Sequence, residues 1–168
     1  MGTPYPDVRW GSETSPLRAP LVAFAKTKPG SWVIRTMTPL DRALMKRSHG
    51  RFTTLGPIAA PTALVTTIGR KSGERRTSPL LYYREDPHIF LIGSNFGQEH
   101  HPAWTWNLLA DPRCWVTIGD SEIASEATLL DGEERDRVFG EMANLIEVYG
   151  EYRRRTDREI RVFRLTAV

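Results

Sequence analysis

Basic side chains are concentrated in one short turn between two runs of β-branched and aromatic residues. Residues 69–76 read G-R-K-S-G-E-R-R, which places four cations beside a single carboxylate. Arginine binds phosphate and carboxylate groups in a bidentate manner, and lysine adds a mobile positive charge. We also expect Gly69 and Gly73 to expose backbone N–H groups to an anion. The turn therefore predicts an anion-binding site, and an ordinary solvated β-turn is the alternative.

A second turn, residues 93–97, leads into a short helix that follows a proline and carries two tryptophans. Ser94 and Asn95 provide hydrogen-bonding groups for a heterocycle, and the N terminus of the helix offers unpaired N–H groups to an anion or a ring edge. Trp104 and Trp106 are candidates to wall a flat ring, although a short amphipathic helix usually directs one of them into the core. Together the two turns predict a ligand with an acidic group and a flat ring.

The chain shows no signature of its own nucleophile, acid–base pair or metal centre. The four histidines do not have the spacing of metal ligands, and no G-x-S-x-G, P-loop or G-x-G-x-x-G motif occurs. The single cysteine, Cys114, falls in a strand pattern that predicts a buried, unreactive thiol. We therefore expect a bound cofactor, and not a metal, to carry the reactive atom.

The composition is that of an ordinary globular protein. The 168 residues, of which 40% are hydrophobic and 26% charged, suffice for one domain with a sizeable core. A net charge of +3 does not imply a nucleic-acid partner, and an interface built on residues 153–155 is a weak alternative because no base-reading motif accompanies these arginines. One cysteine favours a reducing, cytoplasmic setting. No segment has the pattern of a signal peptide or a membrane span.

β-branched and aromatic enrichment between turn signals predicts six strands. They are Ala63–Ile68, Thr77–Tyr83, His88–Gly93, Cys114–Ile118, Glu122–Leu130 and Ile160–Leu165. Short hairpin connections favour an antiparallel sheet that curls into a barrel. The expected fold class is therefore α+β, mainly β, with flanking helices.

Hydrophobic periodicity predicts two longer helices. The first covers residues 31–48 and is interrupted at Pro39, and the second covers residues 135–149 and is ended or kinked at Gly150. Asp131 starts a capping-box pattern before the second helix.

The N-terminal region differs from the rest of the chain in its proline content. Residues 1–30 are predicted to form an extended arm, and residues 31–168 a single cofactor-binding domain. The helix that follows the arm is basic and begins with Trp32. It either packs on the domain or lies on an anionic membrane surface at the inner face of the cell membrane.

Several motifs resemble the deazaflavin-dependent nitroreductase family of actinobacteria, the flavin/deazaflavin oxidoreductases of class A. The resemblance lies in G-R-K-S-G-E-R-R-T-S-P-L (Gly69–Leu80), G-S-N-F-G (Gly93–Gly97) and H-P-A-W-T-W-N-L-L-A-D-P (His101–Pro112), and it extends to residues 28–32 and 156–160. It implies a split β-barrel similar to FMN-binding proteins and coenzyme F420 as the cofactor. It also implies hydride transfer from the reduced deazaflavin to a small organic acceptor, namely a quinone, a nitroaromatic compound or an activated alkene.

The resemblance also implies roles for individual residues. The cofactor-binding residues would be Arg70, Lys71, Ser72, Gly73, Arg76, Thr77, Ser78, Pro79, Ser94, Asn95, Pro102, Ala103, Trp104 and Asn107, and the residues facing the acceptor would be Ser94, Tyr149 and Tyr152. Three positions depart from the family pattern. Ile146 stands in place of a tyrosine of the nitroreductase branch, so reduction of nitroimidazoles is not implied. Ile68 replaces a threonine, and Arg75 replaces a proline.

Two other functions are compatible with the same residues. One is an oxidoreductase of the same barrel that uses FMN or haem, and the other is a non-enzymatic carrier of coenzyme F420. We expect coenzyme F420 rather than FMN because of the paired motifs, and we expect a small-molecule hydride acceptor as the partner.

Overall fold

The computed structural model describes residues 4–48, 52–54, 56 and 58–168, and these include six antiparallel strands in a closed barrel. In chain order the strands are β1 (Thr62–Ile68), β2 (Arg75–Glu85), β3 (His88–Ile92), β4 (Arg113–Ile118), β5 (Ser121–Leu130) and β6 (Val162–Ala167). Around the barrel the order is β1-β2-β3-β6-β5-β4, and the pairing of β1 with β4 closes it. The predicted split barrel of the α+β class is confirmed, and each predicted strand overlaps an observed one.

Within the described residues, five α-helices and one short 3₁₀ turn flank the barrel. They are α1 (Arg18–Ala25), α2 (Lys28–Arg47), α3 (Ala103–Ala110), α4 (Gly132–Leu145) and α5 (Val148–Arg154), with the 3₁₀ turn at Asn95–Gly97. No helix in the described part of the chain is both long enough and apolar enough to cross a bilayer.

The predicted helix boundaries are wrong at two positions. Helix α2 continues through Pro39 without interruption. The second predicted helix is divided into α4 and α5 at Ile146, whose φ of −134° and ψ of 88° are not helical, and not at Gly150, which lies inside α5. Asp131 occupies the N-cap of α4, but its side chain makes no capping hydrogen bond, so the predicted capping box is not formed.

The N-terminal region is more ordered than the predicted extended arm. Residues 18–25 form α1, and α2 begins at Lys28, where Thr27 caps the helix by accepting a hydrogen bond from the backbone N–H of Gly30 at 2.9 Å. The Tyr5 side chain is fully buried in the barrel core, and its hydroxyl lies 2.8 Å from Ser125 Oγ. An extended conformation of residues 18–30 is therefore wrong, while the division of the chain into an arm and one domain stays a prediction.

Two hydrophobic cores share the strands of the barrel. Successive side chains of a strand point to opposite faces, so Ile89 and Leu91 of β3 pack inside the barrel, whereas Phe90 and Ile92 pack against α4 and α5. The barrel interior also contains Cys114, and burial raises the pKa of its thiol to about 12. The cysteine is buried and protonated, as its strand pattern predicts.

We predict that Gly97→Ala destabilises the fold by at least about 2 kcal/mol, because L residues are strained at positive φ. Gly97 has a φ of +74°, and an added Cβ would lie 2.7 Å from the Cβ of Arg155 and 2.8 Å from the carbonyl oxygen of Tyr152. Urea denaturation measures the free energy of unfolding of each variant. Gly140→Ala in α4 is the matched control, since nothing lies within 4 Å of its added Cβ. It should be neutral or slightly stabilising, and an equal loss in both variants would contradict the prediction.

Candidate functional site

A cavity of about 710 Å³ lies where helices α1, α2 and α5 meet the middle of β2 and the turn after β3. Most of the side chains that line it are aliphatic or aromatic, among them Leu21, Val33, Leu80 and Val148. Apolar cavities of this size with a few polar groups are typical sites for small organic ligands. The cavity is therefore the candidate active site.

Half of the predicted site residues line this cavity. They are Ser78, Pro79, Ser94, Asn95, Pro102, Trp104, Tyr149 and Tyr152. The other half lies outside the lining, in the basic turn, at the start of β2 or on α3: Arg70, Lys71, Ser72, Gly73, Arg76, Thr77, Ala103 and Asn107. The structure thus divides the predicted residues into an apolar cavity and a cationic turn, and β2 runs from one to the other.

The glycines of the basic turn do not present free N–H groups to an anion, so that expectation is wrong. Gly69 donates its N–H to the carbonyl oxygen of Glu74 at 2.8 Å, and Gly73 donates to the carbonyl oxygen of Gly69 at 2.7 Å. The N–H of Glu74 lies 3.3 Å from Ser72 Oγ. These bonds engage the N–H groups of both glycines within the turn. An anion at this turn would therefore be held mainly by the cationic side chains.

The cations of the turn differ in how far they are already engaged. Arg76 forms an exposed ion pair with Glu74 at 2.7 Å, and the Arg75 guanidinium stacks over the Trp115 ring at 3.8 Å from its centroid. Arg70 lies 5.4 Å from the centroid of Trp106. Lys71 is exposed and has no ion pair with any residue of the described part of the chain. Lys71 is therefore the cation best placed to bind a ligand.

Asn107 connects the basic turn to α3. Its Nδ2 donates to Thr67 Oγ1 at 2.9 Å, and its Oδ1 accepts from the backbone N–H of Arg70 at 3.1 Å. The side chain is buried, so both hydrogen bonds are well shielded from water. In the structure Asn107 positions the turn, and its expected role in closing the cofactor groove stays a prediction.

The two tryptophans of α3 have different environments. Trp104 is buried, packs on Phe163 with ring centroids 5.6 Å apart and also lines the cavity. Trp106 is partly exposed and lies under the Arg161 guanidinium, 3.9 Å from its ring centroid. Only Trp104 is thus in a position to contact a ligand in the cavity.

Arg158 is a site residue that the sequence did not identify, although it lies in a segment that carries the family resemblance. Its guanidinium donates to the carbonyl oxygens of Gln98 at 2.8 Å, Gly93 at 3.0 Å and Ser94 at 2.7 Å. A fourth hydrogen bond joins it to His101 Nδ1 at 3.1 Å. Every one of these acceptors belongs to the segment that carries Ser94 into the cavity wall.

His101 accepts the hydrogen bond from Arg158 as a neutral imidazole. Burial, together with the positive charges of Arg161 and Arg158, holds the pKa of His101 below its ordinary value. A neutral ring leaves Nδ1 free to accept. The hydrogen bond between Arg158 and His101 is therefore present at neutral pH.

Tyr149 and Tyr152 lie one turn apart on α5, and both line the cavity. Burial raises the pKa of each hydroxyl, and for Tyr152 a hydrogen bond with Ser31 and the charge of Arg155 partly offset that effect. Both tyrosines are therefore protonated at neutral pH and can donate a hydrogen bond. No residue of the described part of the chain forms a hydrogen bond with the Tyr149 hydroxyl.

Comparison with known proteins shows the family of the chain. The sequence profile of F420H(2)-dependent quinone reductase matches residues 35–167, most of the chain. The chain belongs to the F420H(2)-dependent quinone reductase family. The predicted resemblance to F420-dependent oxidoreductases is thus confirmed, and so is the expectation of an enzyme that transfers hydride from reduced coenzyme F420.

Individual relatives agree with this family. The chain is 29% identical over 132 residues to an F420H(2)-dependent quinone reductase of Mycobacterium tuberculosis strain H37Rv, covering 76% of this chain and 87% of the relative. A solved F420-H2 dependent reductase is 36% identical and covers 63% of this chain and 94% of its own, with a TM-score of 0.59. Another solved structure, described as a domain-swapped dimer, is 31% identical and has a TM-score of 0.61. The match covers 83% of this chain and 100% of that structure's chain.

More distant structures share only the barrel. The haem storage protein HutZ from Vibrio cholerae is 16% identical, covers 65% of this chain and 82% of its own, and has a TM-score of 0.51. This likeness shows the fold and carries no information about the ligand of this F420H(2)-dependent quinone reductase family member.

We predict that Arg158→Lys loosens the segment that carries Ser94. Lysine keeps the charge but not the planar fork of donors, and a lost hydrogen bond to a charged group costs about 1.5–3 kcal/mol. Hydrogen exchange at the amides of residues 94–98 should therefore accelerate by roughly tenfold or more. Arg113→Lys is the control, because Arg113 is exposed and, among the residues that the structure describes, pairs only with the nearby Asp111. Unchanged exchange in Arg158→Lys would refute a positioning role.

Proposed function

We propose that this family member binds coenzyme F420 along β2, with the acidic groups of the cofactor at the basic turn and its ring in the apolar cavity. The observation that carries the proposal is the course of β2, whose first residues adjoin the cationic turn and whose Ser78 and Pro79 line the cavity. A ligand with an acidic end and a flat ring matches a cationic turn that is followed by an apolar cavity.

The residues present suit the chemical groups of the cofactor. The turn provides the exposed cations Arg70 and Lys71 for phosphate and carboxylate groups. The cavity provides the apolar surfaces of Pro79 and Trp104 for a ring, and the hydroxyl of Ser78 for its polar edge. When bound, the reduced deazaflavin supplies the hydride.

The other wall of the cavity serves the acceptor. A quinone takes up a hydride and a proton to become a hydroquinone, and negative charge develops on its oxygen during the transfer. Tyr149, Tyr152 and Ser94 are three of the hydroxyl groups that line the cavity, and we assign them the stabilisation of that charge. Tyr149 is foremost among them, since its hydroxyl has no hydrogen-bond partner in the described residues.

The apolar lining of the cavity suits an aromatic acceptor. Helix α2 contributes the uncharged side chains of Val33, Ile34 and Met37 to this lining. Burial of apolar acceptor surface excludes water from the site, which strengthens the hydrogen bonds that form there. The chain's own contribution to the reaction is therefore to orient the two reactants and to polarise the acceptor oxygen.

Two neighbouring helices also support a peripheral contact with a membrane surface. Phe24 of α1 and Leu40 of α2 are 44% and 59% exposed, and α2 is basic in its last turn. Apolar side chains beside basic residues are typical of helices that lie in a lipid interface. Co-sedimentation with vesicles that contain phosphatidylglycerol should fall in the double variant Phe24→Ser/Leu40→Ser and not in Leu109→Ser, which changes an exposed leucine of α3. Wild-type protein that stays in the supernatant would exclude this contact.

We predict that Lys71→Ala weakens coenzyme F420 binding by roughly tenfold or more, the size expected for a charge-assisted hydrogen bond. Fluorescence titration of the purified protein measures the Kd, with FMN as the competing ligand. Lys46→Ala is the matched control, because Lys46 is an exposed lysine of α2 outside the cavity lining. Equal affinity of Lys71→Ala and wild type would remove the turn from the site, and tighter binding of FMN would overturn the cofactor assignment.

We predict that Tyr149→Phe lowers kcat for quinone reduction by roughly tenfold to a hundredfold, because a donor to the developing oxyanion is lost. Its stability and its Kd for coenzyme F420 should not change, because the hydroxyl has no hydrogen-bond partner in the described residues. Stopped-flow oxidation of the reduced cofactor by a quinone measures the step. Tyr83→Phe is the control, since Tyr83 lies outside the cavity lining and bonds to Glu85. A kcat equal to that of wild type would exclude Tyr149 as the donor.

A further inference from the structure

A second, smaller pocket adjoins the cavity at the N-terminal half of α2. It has a volume of about 360 Å³, and Arg35 and Phe96 line both the pocket and the cavity. The remaining lining includes Lys28, Trp32 and Arg155. A ligand group that leaves the cavity past Arg35 would therefore enter this pocket.

The pocket is cationic, and no carboxylate is among the described residues that line it. Lys28, Arg35 and Arg155 line it, and none of the three forms an ion pair with a residue of the described chain. Other arginines of the surface are neutralised, for example Arg84 by Asp86 at 2.7 Å and Arg137 by Glu85 at 2.7 Å. Three unpaired cations around one concavity repel each other, and an anion bound among them would relieve that repulsion.

Arg155 is held in place by groups that are not acidic. It donates to Ser31 Oγ at 2.9 Å and to the carbonyl oxygen of Lys26, and it lies over the Tyr152 ring at 5.4 Å from the centroid. Tyr152 is one of the proposed hydrogen-bond donors to the acceptor, and it lines the cavity. The fixed cation of the pocket is thus connected directly to the acceptor side of the cavity.

An aromatic side chain completes the pocket. The Trp32 side chain is 58% exposed although it lines a concave surface, and Phe96 lies on the opposite, cavity side. Exposed tryptophan beside unpaired cations suits a ligand that carries both an apolar chain and an acid.

We propose that this pocket binds a carboxylate or phosphate group carried by the hydride acceptor, while the acceptor ring occupies the adjoining cavity. The proposal rests on the proposed function, because it assumes that the cavity binds the acceptor. It assigns Lys28 and Arg35 as residues that select acidic acceptors, with Arg155 as the fixed third cation. The cofactor's own acidic groups are assigned to the other end of the cavity, at the turn that precedes β2.

Calorimetric titration of the full chain tests the selection directly. The probes are a naphthoquinone that bears a propionic acid chain and the methyl ester of the same compound. We expect wild-type protein to bind the acid roughly tenfold or more tightly than the ester, as for a charge-assisted hydrogen bond. The double variant Lys28→Gln/Arg35→Gln should bind the two probes equally, and its affinity for the ester should match that of wild type. Both changed residues are exposed, so the substitutions leave the core intact.

The matched control is Arg42→Gln/Lys46→Gln, which removes the same charge from exposed positions of the same helix outside the pocket. It should keep the preference for the acid. Equal binding of acid and ester by wild type, or an equal loss of preference in both double variants, would overturn the proposal.

Two further titrations separate the possible sources of the acidic group. If the pocket serves the acceptor, Lys28→Gln/Arg35→Gln will bind coenzyme F420 and phosphatidylglycerol vesicles as wild type does. Weaker binding of F420 by this variant would assign the pocket to the cofactor. Loss of vesicle binding without loss of the preference for the acid would assign the pocket to lipid headgroups. Either result overturns the proposal. If wild-type protein does not bind F420, the proposed function is refuted instead. The F420 titration is a separate experiment, so this outcome is distinguishable from the results with the acid and the ester.

Discussion

One guanidinium group holds the segment on which the candidate active site depends. Asn95 and Phe96 have positive φ angles of 47° and 58°, a conformation that costs residues other than glycine about 1–3 kcal/mol each. Arg158 offsets that cost with its hydrogen bonds to the carbonyl oxygens of Gly93, Ser94 and Gln98. The strained turn places Ser94 and Asn95 in the cavity wall.

The barrel provides rigid support for both reactants of the reaction. Strand β2 connects the cationic turn to the cavity, and it is paired on both sides, with β1 and with β3. On the other side of the cavity, Tyr149 and Tyr152 pack in the core between the barrel and α4. The proposed sites for the hydride donor and the acceptor are therefore both built on packed elements of the barrel and its core, which favours a fixed distance between the two reacting rings.

Much of the fold could be predicted from local patterns, and the errors have physical causes. The strands are β-branched runs bounded by turn residues, and all six were recognisable. Pro39 and Gly150 are weak helix residues, but burial of Met45 in α2 and of Tyr149 and Tyr152 in α5 outweighs that local preference. The break at Ile146 has no signal in the residue itself, since isoleucine is compatible with a helix.

The site was predictable in its residue types more than in its geometry. The basic turn, Ser94 and Trp104 were candidates from their residue types alone, and the resemblance added the two tyrosines of α5. It could not show that the N–H groups of the turn are satisfied internally or that Asn107 is a support, because both depend on hydrogen bonds. Arg158 was missed for the same reason: its partners lie far away in sequence, and no local pattern connects them.

We propose that the basic turn and the apolar cavity form one cofactor site along β2. Amide NMR shifts of the labelled protein on addition of coenzyme F420 would map that site. We expect shifts in residues 70–78 and at Ser94 and Asn95 together, while β5, on another part of the barrel, stays unchanged. Shifts in the cavity without the turn, or shifts confined to the pocket of Lys28 and Arg35, would contradict it.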